Sequence, residues 1–187
     1  LCALAARGGG EGWWRAEGGQ VQEIWRGADG ALLGPPTVSP DGGRGAFVMR
    51  RDGRLRLQVE MADGTEPQMV GENLNVQGTA SWSPDAKWII TGGNDGQGAG
   101  LFKIPMEGGG APVRLSTGLA ANPVWSPDGG FIVYAGTHVG RFAPLLAMRP
   151  DGSPVELPTI QLNREGERIR FLPDRKDLVY MPGPGGA

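Results

Sequence analysis

The residues in this chain with the most obvious chemistry to offer are four aspartates. Asp41, Asp85, Asp128 and Asp174 each follow a proline, in Ser39-Pro40-Asp41-Gly42, Ser83-Pro84-Asp85-Ala86, Ser126-Pro127-Asp128-Gly129 and Leu172-Pro173-Asp174-Arg175. Carboxylates gathered in one place serve as general acids and bases or as ligands for hard cations. Here each belongs to its own copy of one tetrapeptide. Ser-Pro-Asp-Gly suits a type I turn, in which proline presets φ and the aspartate oxygen accepts a backbone N–H just beyond it. Turn capping, a structural task, is therefore the expected role of all four.

The other candidates are weighed in the same way. The single histidine, His138, has no G-x-S-x-G serine or other nucleophile signal to act on, so no hydrolase triad and no catalytic residue is assigned. Sialidases carry Ser-x-Asp turns within a longer Ser-x-Asp-x-Gly-x-Thr-Trp box, and that box is missing after Ser39, Ser83 and Ser126. Asn94-Asp95-Gly96-Gln97-Gly98 is rich in oxygen but lacks the ligand spacing and late Glu of a calcium loop. The lone Cys2 excludes an internal disulfide and a cysteine metal cluster, and an ordinary cysteine rather than a lipidation site is expected there. Trp82, Trp88 and Trp125 could stack on a sugar or a base, yet they fall at strand positions where packing is the ordinary role. Neither a cofactor nor a metal is expected.

Bulk properties narrow the classes further. A net charge of −2 and a pI near 5.5 argue against nucleic acid as a partner. No run of about 18 apolar residues is present, so no membrane span is expected. Leu1 to Arg7 is too short for a signal core, and the chain does not begin with Met, so a fragment of a longer protein is expected.

The intervals between the aspartates reveal the elements that position them. Asp41, Asp85, Asp128 and Asp174 are 44, 43 and 46 residues apart. A second series of turns, at Gly18, Asp63, Gly108 and Asp151, recurs at 45, 45 and 43 residues. Each unit divides into four short strands. In the first they are Thr37 to Ser39, Ala46 to Met49, Leu55 to Met61 and Gln68 to Val70. In the second they are Ala80 to Ser83, Trp88 to Thr91, Leu101 to Pro105 and Val113 to Leu115. In the third they are Pro123 to Ser126, Phe131 to Ala135, Pro144 to Met148 and Val155 to Leu157. Phe131 to Tyr134 is continuously apolar, as in a strand covered on both faces, whereas Leu55 to Met61 alternates and is expected to be half exposed.

Four strands per roughly 40–45 residues predict an all-β propeller built from four-stranded antiparallel blades. A β-sandwich is the alternative, but it gives no reason for strict recurrence. The chain is read as one propeller region, 1–187, with repeats at about 13–36, 37–79, 80–122, 123–168 and 169–187. The 34 glycines, far above the average usage of about 7%, fit an architecture of many turns.

The Pro-Asp turns, the aromatic or Val before each Ser, the aromatic-rich second strands and the later glycine turns resemble the Pro-Asp variant of the WD-type repeat found in TolB-like proteins. The resemblance runs from about Trp13 to Met181, with Ala86 in place of the turn glycine and a degraded final copy at Leu172 to Arg175. It implies a bacterial binding platform rather than an enzyme, periplasmic or fused to other domains, with a protein or peptide partner. It also implies a second reading, the substrate-gating propeller of a prolyl-oligopeptidase-like serine peptidase whose catalytic domain lies outside this chain.

Antiparallel order places the Pro-Asp and glycine turns at one end of every blade. At the other end lie varied polar loops, including Arg51-Asp52-Gly53, Asn94 to Gly98 and Thr137 to Arg141. Loops on a rigid scaffold carry most binding functions, so Arg51, Asp52, Asn94, Asp95, His138 and Arg141 are the candidate partner-binding residues. The chain reads as starting with third and fourth strands, Trp13 to Ala16 and Val21 to Trp25, and as stopping with first and second strands, Ile169 to Leu172 and Leu178 to Met181. These halves would either unite in a closed four-bladed ring or remain the edges of an open arc. The open arc is the expectation.

Overall fold

The computed structural model describes residues 2–7, 10–26, 32, 36–163, 169–172 and 177–183. Every regular element among them is a strand. The three full units form three four-stranded antiparallel blades, each laid out in chain order from first to fourth strand. The first contains β4 (Thr37–Val38), β5 (Arg44–Arg51), β6 (Arg54–Met61) and β7 (Gln68–Val70). The second contains β8 (Asn75–Trp82), β9 (Trp88–Asn94), β10 (Ala99–Pro105) and β11 (Val113–Arg114). The third contains β12 (Ala121–Trp125), β13 (Ile132–Ala135), β14 (Ala143–Met148) and β15 (Pro154–Val155), and β16 (Gln161–Leu162) pairs with the far end of β14.

Partial blades flank these three. One has β1 (Cys2–Arg7), β2 (Gly10–Glu17) and β3 (Gln20–Arg26), the other β17 (Arg170–Phe171) and β18 (Leu178–Val179). The start of the chain therefore differs from the sequence expectation. A second strand, β1, precedes the third and fourth, and it pairs with β2 from Cys2↔Arg15 to Arg7↔Gly10. Its alanine-rich sequence gives no strand signal of its own, and pairing along β2 decides the conformation. β3 pairs with β2 and β17 with β18, and no pairing joins the two partial blades among the described residues. The arrangement is the open arc.

Bulges explain a second difference. β8 begins at Asn75 rather than Ala80 because pairing with β9 runs from Asn75 to Gln77, breaks, and resumes at Ala80↔Thr91. Gly78, at φ +75°, lies at the break. β12 breaks in the same way between Ala121 and Val124, with Asn122 at φ +50°. Unpaired extra residues, two in β8 and one in β12, interrupt the ladder, so the sequence pattern alone starts these strands too late. The two bulges meet. Thr79 N–H donates to the Asn122 side-chain oxygen at 2.9 Å, and a Cβ on Gly78 would lie 2.5 Å from that oxygen.

The core is distributed between blades rather than central, as stacking of repeats requires. Ala46, Val48, Leu57 and Val59 of the first blade pack on Leu74, Val76, Trp82, Ile89, Phe102 and Ile104, which belong to the second or lead into it. Ile90 and Leu101 then pack on Trp125, Ile132, Tyr134 and Met148 of the third. On the outer face of the third, Val133, Ala143, Leu145 and Ala147 meet Leu162 and Ile169. Phe47 and Met49 bury the other face of the first blade with Ile24 and Trp25, whose ring is 5.3 Å from that of Phe47.

This stacking corrects the expectation that β6 is half exposed. Gln58 and Glu60, at 7% and 3% exposure, are buried, and Gln58 Nε2 donates to Glu60 Oε2 at 3.0 Å. An inner strand of a stacked blade has neighbours on both faces, whatever its polarity pattern. Polar stitches also cross the blade boundaries. Arg44 lies 4.9 Å from the Trp82 ring and donates to the Ala86 carbonyl at 2.7 Å, and Lys103 lies 4.6 Å from Trp88 and donates to the Pro150 carbonyl at 2.9 Å. Trp125 N–H donates to Ser81 Oγ at 3.1 Å. No helix of the described residues is long and apolar enough to cross a membrane.

Candidate functional site

At one end of the blades, three Pro-Asp turns share one geometry. In the third blade Ser126 Oγ donates to Asp128 Oδ1 at 2.6 Å, and the Gly130 N–H donates to the same oxygen at 2.9 Å. The Phe131 N–H donates back to Ser126 Oγ at 3.0 Å. In the second blade Ser83 reaches Asp85 at 2.5 Å, with Lys87 N–H on that carboxylate at 3.1 Å and Trp88 N–H on Ser83 Oγ at 3.0 Å. Ser39, Asp41, Gly43 and Arg44 repeat the set. The hydroxyl first, and then the backbone N–H, hold all three carboxyls below the usual aspartate value. Ala86 takes the left-handed conformation, φ +56°, that glycine supplies at Gly42 and Gly129. Asp174 lies outside the described residues. In these turns each carboxylate acts on its own loop.

The opposite end is built differently. The hairpin joining β5 to β6 turns on Asp52 and Gly53, at φ +50° and +72°, a primed two-residue turn that sets Arg51 directly opposite Arg54. Beside it runs the connection from β7 to β8, and next the loop joining β9 to β10. These three segments enclose a cleft of about 1040 Å³. Its polar lining comprises Arg51, Asp52, Arg54, Arg56, Glu72, Asn73, Asn75, Asn94, Asp95 and Gln97, above an apolar floor that includes Leu57, Met69, Leu74 and Phe102.

Four of the six candidate loop residues, Arg51, Asp52, Asn94 and Asp95, thus share one site. The other two do not reach it. His138 is half buried in the hairpin before β14, and exposed Arg141 lies 5.8 Å from the ring of its neighbour Phe142. Asn94 and Asp95 are partly committed to their own loop, where they accept the Gly96 and Gln97 N–H groups at 2.8 and 2.9 Å. Asp95 also pairs with Arg114, which donates to the Ala99 carbonyl at 3.0 Å and stacks 4.8 Å from Phe102. Arg56 donates to the Glu72 and Leu74 carbonyls and fastens the β7–β8 connection. Asn75 Oδ1 accepts the Leu55 N–H at 3.0 Å.

The connection from Glu72 to Gln77 is expected at this end from antiparallel order, and Arg54 adjoins the Arg51 to Gly53 turn, whereas Arg56 in the cleft and Arg114 beside it escape sequence reasoning because strand pairing and blade stacking place them there. A second cleft, about 850 Å³, lies toward the turn end and is lined in part by Asp41, Arg44, Glu60, Glu66 and Glu107. Among the described residues no group of three or more His, Cys, Asp or Glu side chains is arranged to hold a metal ion.

No protein-family model matches this chain, and no curated protein does. Solved structures do. TolB from Acinetobacter baumannii superposes with a TM-score of 0.80 at 18% identity, over 97% of this chain and 45% of that one. The putative TolB from Agrobacterium tumefaciens gives 0.66 at 16% identity, over 95% of this chain and 75% of that one. A structure from a study of two prolyl endopeptidases gives 0.55 at 16% identity, over 79% of this chain and 28% of that one. The chain spans less than half the length of the Acinetobacter structure. What these likenesses establish is the fold, a propeller of the TolB kind.

Proposed function

We propose that this TolB-like propeller is a non-catalytic recognition module of a longer bacterial protein, and that it binds a protein or peptide partner at the loop end of its blades. The observation that carries this reading is the cleft between the first two complete blades. It has a mixed polar rim, an apolar floor and loops fixed by their own hydrogen bonds. Such a surface is preorganised for binding, and none of its side chains pairs a nucleophile with a base. The likeness to a prolyl endopeptidase favours one other reading, a propeller that gates a peptidase domain.

Selection of a random peptide library on the immobilised chain, with a panel of fluorogenic peptide, ester and glycoside substrates run in parallel, tests the proposal. Selected peptides should protect the loop-end segments from hydrogen exchange, and no substrate should turn over. Turnover that survives purification and disappears in His138→Ala would contradict it.

A further inference from the structure

The arginines at the end of the first blade have no structural task that accounts for them. Arg51 and Arg54 face each other in the β5–β6 register, a like-charge cross-strand pair that works against the hairpin. Arg50 is the next residue along β5 and is also exposed. None of the three side chains makes a hydrogen bond or an ion pair among the described residues. The corresponding hairpins show that the scaffold does not need them. The second blade turns through Asn94 to Gly98 without a cation, and the third through Gly136 to Phe142 with one arginine. Arg56, by contrast, is fully explained by its carbonyl partners.

Two arginines directly opposite each other in the strand register, both at the rim of a cleft, match a carboxylate, which can accept paired N–H donors from each. We infer that the cleft takes an extended acidic segment of a partner protein, with a Glu or Asp carboxylate seated between Arg51 and Arg54. This inference rests on the recognition reading above and gives it a ligand class. The rest of the cleft suits a peptide better than a phosphate-rich chain. A peptide, unlike a phosphate-rich chain, can set the apolar parts of its side chains against Met69 and Pro112 and offer its backbone to Asn73. Asp95 is already neutralised by Arg114, which leaves the arginine pair as the strong attractor. The net charge of −2 means that the chain has no general affinity for anions, so any attraction must be local.

Fluorescence anisotropy with labelled oligoglutamate, oligoglutamine and a short single-stranded DNA tests the inference directly. Oligoglutamate should bind at low salt, and raising the salt to about 150 mM should weaken it, as for partly exposed charges. Arg51→Glu with Arg54→Glu should weaken it at least about tenfold. Arg141→Glu, on the third blade, should leave it within about twofold. Because all three positions are exposed, circular dichroism should confirm unchanged folding, and Arg51→Gln with Arg54→Gln provides a milder second variant. Equal binding of oligoglutamine, no effect of either double variant, or tighter binding of the DNA would overturn the acidic-peptide assignment. If library peptides bind the cleft but are neutral or basic and ignore the arginine substitutions, the recognition reading stands and this inference falls. If no peptide of any kind binds, both fall.

Discussion

The two ends of the blades obey different rules. At the turn end, one serine and one aspartate build nearly the same hydrogen-bonded turn three times, with distances that repeat within about 0.2 Å. At the loop end the three hairpins differ in length, charge and hydrogen bonding. The first even sets two arginines against each other. A feature that every blade repeats is explained by what a blade needs, namely a tight reversal between its first two strands. A feature that only one blade has, and that costs that blade stability, calls for an explanation outside the scaffold. This contrast assigns the turn aspartates to the fold and the loop-end arginines to recognition.

Four substitutions can break or sharpen the contrast. The largest effect is expected between the ends, at Phe102. Its ring is buried in the core between the first two complete blades, floors the cleft and supports Arg114. Phe102→Ala should cost about 3–5 kcal/mol in denaturant unfolding, since both a cavity and a stacking partner are involved. Next is Ser126→Ala. The buried Oγ joins Asp128 to the Phe131 N–H, so its loss strands a backbone donor and should cost about 1–3 kcal/mol while leaving peptide affinity unchanged. If Ser126→Ala abolished peptide binding in a folded chain, the division between the ends would be wrong.

Asp128→Asn should act more weakly, and in a pH-dependent way. The folded carboxyl titrates below its unfolded value, so its contribution is present above about pH 4 and is lost as pH falls through the lower folded value. Thermal melts of the variant and the parent chain should therefore differ most near neutral pH and converge in acid. The smallest effect should have the opposite sign. Arg51→Glu converts the repulsive cross-strand pair with Arg54 into an attractive one and should stabilise the hairpin by about 0.2–1 kcal/mol, while oligoglutamate binding falls. A stabilising change that damages binding is the signature of a residue kept for function. Loss of stability in Arg51→Glu would instead make that arginine part of the scaffold.

The turn end was legible in the sequence because its chemistry is local. Ser, Pro, Asp and Gly within four residues specify a turn whatever the surroundings, and their spacing counts the blades. Periodicity failed where contacts are non-local. β1 adopts its conformation from the strand it pairs with, β8 and β12 run through bulges that interrupt the pairing, and Gln58 and Glu60 read as solvent-facing but are buried in the stack of blades. The cleft was half legible. Loop composition singled out Arg51, Asp52, Asn94 and Asp95, but it could not show that these four share a site while His138 and Arg141 lie elsewhere. Nor could it show that Asp95 is held by an arginine 19 residues later in the chain.

The most direct test of the division between the ends is a map of amide chemical shifts of the isotopically labelled chain during titration with oligoglutamate. The account predicts progressive shifts confined to the segments from Arg51 to Arg56, Glu72 to Asn75 and Asn94 to Gln97, with the turns at Asp41, Asp85 and Asp128 unmoved. Shifts centred on those turns, or scattered evenly over both ends of the blades, would contradict it.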